Sequence, residues 1–135
     1  MTPEFLAAVI DTLLPGDDAL PSGTAAGLPL PAYAESHRSV LDAIAAEAGG
    51  VESFIRADEA ARSTAVRAVE RTMPECFRAL LMAVLSDYYE SEPALAALGW
   101  PTHPPQPTGH APVAMDDATA ARLDRIARRG LLWRP

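Results

Sequence analysis

Thr72-Met73-Pro74-Glu75-Cys76-Phe77-Arg78-Ala79-Leu80-Leu81-Met82-Ala83-Val84-Leu85-Ser86-Asp87-Tyr88 decides the fold class. Its large apolar residues Phe77, Leu80, Leu81, Val84, Leu85 and Tyr88 recur at i, i+3, i+4, i+7, i+8 and i+11, the spacing of one helix face. Thr72-Met73-Pro74-Glu75 ahead of them has the form of a capping box, in which hydroxyl and carboxylate each satisfy an orphan N–H. The pattern predicts a central amphipathic helix.

Helical signals continue on both sides. Thr2 is placed to cap a first helix with Pro3 in its first turn and Phe5, Leu6, Val9, Ile10 and Leu13 on one face, stopped by Pro15-Gly16. A second helix is predicted from about Pro31 to Ala48, with Tyr33, His37, Val40, Leu41 and Ile44 in one stripe before Gly49-Gly50. A short turn carries Val51, Phe54 and Ile55. Asp58 caps a third long helix to Arg71, with a small-sided apolar face (Ala61, Ala65, Val66, Val69) and Arg62, Arg67, Glu70 and Arg71 elsewhere. Ser91 caps a short helix carrying Leu95 and Leu98, closed by Gly99. A final helix, about 116–129, starts at Asp116 and turns Leu123, Ile126 and Ala127 inward.

Between the first two helices, residues 15–31 carry four prolines and three glycines, too many for long regular structure but compatible with a turn of helix after Ser22. Leu20, Leu28 and Leu30 among these breakers mark an ordered loop pinned to the domain. Residues 100–114 form a second proline-rich stretch, expected as an extended arm near polyproline II. The reading is an all-α protein: a single compact helical domain spanning 1–135, of about six or seven helices, with an extended C-terminal arm.

Composition agrees. The 135 residues include 27 alanines but only 7 valines and 4 isoleucines, which favours helix over strand. Eighteen acidic residues against 11 arginines and no lysine give a net charge of −7, which argues against nucleic acid and acidic membrane surfaces as partners. With Cys76 the only cysteine, an intrachain disulfide and a Cys-based metal site are both excluded. No apolar run approaches the ~20 residues that span a bilayer. Met1-Thr2-Pro3-Glu4 lacks the basic opening of an export signal, so a cytoplasmic location without membrane insertion is expected.

Reactive groups are sparse. Cys76 lies in the first turn of the Thr72 helix, but a lone cysteine in a helical protein reads first as a small buried hydrophobe. His103 and His110 lie seven apart on the proline arm without zinc spacing, and His37 reads as a core-edge residue. Asp17-Asp18 and Asp116-Asp117 each precede a turn or helix start, where capping is the expected role. The glycines form no nucleotide-binding fingerprint, so no catalytic, cofactor or metal residue is assigned. The arginines of the last helix read as a solvated face, or as a docking stripe for an acidic partner.

What stands out is apolar material away from an obvious core. Trp100, Pro101, His103, Pro104, Pro105 and Pro107 on the arm, and Leu131, Leu132 and Trp133 in the tail, have the character of surface that buries itself against another protein. The alternative is that both segments fold back on their own helices.

Two stretches resemble a known family. The first is Ala8-Val9-Ile10-Asp11-Thr12-Leu13-Leu14-Pro15-Gly16-Asp17-Asp18 with Pro21 and Ala25-Ala26-Gly27-Leu28. The second is Asp87-Tyr88-Tyr89 through Pro93, then Leu98-Gly99-Trp100-Pro101, Pro104-Pro105 and Gly109. Together they resemble the gluconate 2-dehydrogenase subunit 3 family, in which a helix ending in a Leu-Leu-Pro-x-Asp type motif runs into a proline and a short Ala/Gly segment. The resemblance implies a cofactor-free accessory subunit beside a large FAD-dependent dehydrogenase of the glucose–methanol–choline type, which holds the flavin itself. It adds Tyr88 and Tyr89 to the expected partner-binding residues. A stand-alone helical interaction or ligand-binding module, a homo-oligomeric one included, is the other reading.

Overall fold

The computed structural model describes residues 1–101 and 115–129. Among them are eight helices and no strand: α1 (Pro3–Leu13), α2 (Leu30–Ser36), α3 (Arg38–Glu47), α4 (Val51–Arg56), α5 (Glu59–Thr72), α6 (Pro74–Glu90), α7 (Glu92–Ala97) and α8 (Asp117–Arg128). The all-helical class is as expected. The chain divides into two units, Met1–Thr102 and His103–Pro135, so α1 to α7 belong to the first and α8 to the second. None of these helices is long and apolar enough to cross a membrane.

Four helix starts follow from local chemistry. The side chains of Thr2, Asp58, Ser91 and Asp116 accept from the backbone N–H groups of Phe5, Ala61, Ala94 and Thr119, the capping roles their sequence positions predict. Thr72 does not cap. Its hydroxyl donates back to the carbonyl of Ala68 at 3.1 Å, so it ends α5, and Met73 is the uncapped residue before α6. Pro74 is the cause: it disfavours helical geometry at Met73, which sits at φ −132°, and places its own missing N–H in the first turn of α6.

The helix expected from Pro31 to Ala48 is two helices, broken at His37, where φ is −123° and ψ is 28°. The break changes the direction of the chain, so that α2 lies on α1 while α3 lies on α5. His37, half-buried, ends one helix and precedes the other.

The core of the first unit draws one face from each long helix: Phe5, Val9 and Ile10 of α1, Val40, Leu41 and Ile44 of α3, Val69 of α5, and Phe77, Leu80, Val84 and Tyr88 of α6. Phe54 of the short α4 is fully buried and meets Phe5 edge-on, ring centroids 5.4 Å apart. Such a pair adds about 0.5–1.5 kcal/mol beyond the area it buries. Arg62, which the sequence places on the outer face of α5, turns inward instead. Its guanidinium lies over the Phe54 ring at 5.8 Å, and donates to the carbonyl of Phe54 at 3.0 Å and to that of Ile55, closing the end of α4.

Two outcomes test this account. Phe54→Ala is expected to lose about 3–5 kcal/mol of stability in urea unfolding. Asp58→Ala is expected to cost about 0.5–2 kcal/mol as a lost cap, while Thr72→Ala costs less than about 0.5 kcal/mol; equal losses from the two would restore the capping box at Thr72.

Candidate functional site

The loop that follows α1 is built from hydrogen bonds to its own ends. Asp17 accepts from the N–H groups of Ala19 and Leu20 at 2.8 and 2.7 Å, and those two donors, Leu20 first, hold its carboxyl below the usual range. Asp11 of α1 accepts from both the N–H of Thr24 (2.9 Å) and its hydroxyl (2.8 Å). A single helical turn follows Ser22, with the N–H of Ala26 donating to the Ser22 carbonyl at 2.9 Å.

Two glycines let the loop lie this close. Gly16 has φ +72°, and a Cβ there would stand 2.5 Å from the backbone nitrogen of Ser22. At Gly23 a Cβ would stand 2.4 Å from a methyl of the buried Ile10. Ala26 and Leu28 are buried and Leu20 and Leu30 half-buried, so the loop is pinned as its sequence predicts.

Against this loop stands the last turn of α6. The Tyr88 hydroxyl donates to the Pro21 carbonyl at 2.7 Å across 67 residues of chain, and the Tyr33 hydroxyl of α2 donates to Asp87 at 2.5 Å. Burial raises the Tyr33 phenol well above its ordinary value, and the hydrogen bond to Asp87 adds to the shift; burial also raises Tyr88, with the charges of Tyr89 and Asp17 adding to it. The result is a ledge. Leu14, Asp17, Leu20, Pro21, Tyr88 and Tyr89 surround a cleft of about 230 Å³. The two stretches of sequence that carry the family resemblance therefore meet in space.

The expected partner-binding residues fall into three groups. Tyr88 is 4% exposed: its ring is core, packed edge-on to Tyr89 at 5.4 Å, so the fold itself takes up this residue. Tyr89 and Trp100 are 53% and 67% exposed, and Pro101 is exposed too. Trp100 follows α7, fixed by its backbone N–H on the Leu95 carbonyl at 2.9 Å while its ring faces solvent. His103, Pro104, Pro105, Pro107, Leu131, Leu132 and Trp133 lie outside the described residues, as does His110.

Other expectations shift. Cys76 is exposed, not a buried hydrophobe, because it sits on the side of α6 away from Phe77 and Leu80. Leu123 and Ile126 are 48% and 53% exposed, not turned inward, and no residue of α8 is buried. Asp17 and Asp116 do serve as caps. Among the described residues no three His, Cys, Asp or Glu side chains are grouped as metal ligands would be. Sequence reasoning missed a second concavity, an apolar groove of about 430 Å³ where Pro3 and Leu6 of α1 face Leu28, Leu30, Pro31 and Ala34.

Comparison with protein-family models, with curated proteins and with solved structures finds no match for this chain.

The Tyr33–Asp87 bond has a measurable signature. Tyr33→Phe should cost about 1.5–3 kcal/mol, the range for a hydrogen bond to a charged acceptor. Because the fold holds both phenols neutral while an unfolded tyrosine ionises near pH 10, stability should be complete below about pH 10 and fall as pH rises above it. Urea midpoints measured up to about pH 11.5 should show this fall, and Tyr33→Phe should flatten it; an equally steep fall in the variant would remove Tyr33 from the account.

Proposed function

We propose that this chain is a non-catalytic small subunit that binds and stabilises a large FAD-dependent sugar or alcohol oxidoreductase subunit of the glucose–methanol–choline type. The observation that carries the reading is the convergence of the two family-like stretches on one ledge, with Tyr89 standing 53% exposed beside the loop that Tyr88 anchors. Side chains already fixed by the fold lose little entropy on docking, which suits an aromatic ledge to a stable interface. Trp100 and Pro101 extend the same aromatic and proline chemistry at the end of α7. In this reading the flavin belongs to the partner and this chain brings no cofactor. The exposed thiol of Cys76 suits a reducing cytoplasm.

A second reading draws on the apolar groove. Its roughly 430 Å³ falls within the size range of small-molecule pockets, and its lining of aliphatic and proline side chains suits an uncharged apolar ligand in a stand-alone module.

Co-expression with a flavoprotein encoded beside its gene separates the two. The accessory-subunit reading expects both chains to elute together, and Tyr89→Ala or Trp100→Ala each to weaken the complex by about tenfold or more without lowering the Tm of this chain. Independent elution, with flavoprotein activity and stability unchanged by deletion of this chain, sinks it and leaves the groove reading.

A further inference from the structure

The element that the ledge leaves unused is α8. It is a formed helix of 12 residues, started by Asp116 accepting from the Thr119 N–H at 2.7 Å, yet none of its residues is buried. Leu123 and Ile126 lie on one stripe with Ala120 and Ala127, and an exposed stripe of this kind is an unfinished interface. Arg128 pairs with Asp124 at 3.0 Å. Arg122, Arg125 and Arg129, at i, i+3 and i+7, form no ion pair among the described residues and line one shallow cleft with Ile126. The surface that fits α8 is one edged by carboxylates, with an apolar side chain exposed beside them.

The first unit carries such a surface. A cleft of about 400 Å³ has Leu28 and Pro29 in its wall and Asp87, Glu90 and Glu92 at its edge. The charges agree over the longer range: Met1–Thr102 holds fifteen carboxylates and six arginines, net −9, whereas His103–Pro135 holds three and five, net +2. We propose that α8 of one molecule docks in the Asp87/Glu90/Glu92 cleft of a second copy of this chain, and that the exchange is reciprocal. The guanidiniums meet the carboxylates while Ile126 and Leu123 cover the exposed Pro29. Reciprocity follows from area. A helix of this length is roughly 18 Å long, and one such docking buries several hundred Å² on each side. Two dockings about a two-fold axis bring the total to about 1,200–2,000 Å², the range of stable interfaces.

Charge reversal tests the pairing. Sedimentation of the full chain should show a dimer that weakens with added salt. Arg122→Glu/Arg125→Glu/Arg129→Glu in one variant, and Glu90→Arg/Glu92→Arg in another, should each raise the dimer dissociation constant about tenfold or more, because like charges then face each other. All five positions are exposed or at the surface, and circular dichroism checks that both variants remain folded. Mixed together, the two variants should form a heterodimer, since acidic helix then meets basic cleft and basic helix meets acidic cleft. A wild-type chain that stays monomeric overturns the proposal. So does a dimer indifferent to the reversals, or a mixture that stays unpaired.

Discussion

Proline-rich backbone is short of donors, and the loop from Pro15 to Pro31 can be ordered only if its remaining carbonyls and N–H groups find partners elsewhere. The Tyr88 hydroxyl, given to the Pro21 carbonyl, is the link that does this across the longest stretch of chain. It fixes the loop to α6, one of the helices that build the core, and so converts a local turn into a surface of defined shape. Asp11, donating nothing and accepting twice from Thr24, does the same from α1. With both ends tied, Leu28 and Ala26 can be buried, and Tyr33 within α2 reaches Asp87.

A composition with 27 alanines shapes the rest. Small side chains let helices approach, but they leave little bulk to fill the spaces where helices diverge. Phe5 and Phe54 fill one such space, each ring supplied by an element at a different place in the chain, and Tyr33 and Tyr88 are buried as well. The short α4 exists to deliver Phe54, and Arg62 holds it there through the two carbonyls at its end. A guanidinium suits that task because its planar fork reaches two acceptors at once while its face lies on a ring.

Features decided within four residues were legible from sequence. The caps at Thr2, Asp58, Ser91 and Asp116 and the apolar face of α6 follow from side chains acting on their neighbours. Features decided by tertiary contact were not. Ser36-His37-Arg38 contains no proline or glycine, so the break between α2 and α3 has no local mark; it follows from the different partners of the two helices. Thr72 had the right type and spacing for a cap, but Pro74 moved the boundary by one residue. Arg62 read as solvent-facing because periodicity cannot show a carbonyl pair arriving from another helix. Of the candidate site, Tyr89, Trp100 and Pro101 emerged as exposed, whereas Tyr88 went inside; a tyrosine on the apolar face of a helix is itself a sign that some buried acceptor awaits its hydroxyl.

The two docking surfaces proposed for this chain differ in physical character, and that difference separates their roles. The ledge at Tyr88 and Tyr89 is aromatic and proline-built, held rigid from beneath, and attraction to it would come from burial of apolar area. The α8 helix offers two large apolar side chains and three arginines, so attraction to it would come largely from charge, falling as ions screen it. An interface of the first kind is nearly indifferent to salt; one of the second kind is reversible within the physiological range. Association with a partner at the ledge would then depend little on salt, whereas self-association through α8 would depend on it strongly. The −9 charge of the first unit favours this division, since it repels a second first unit at long range and admits one only where the arginines of α8 offset it.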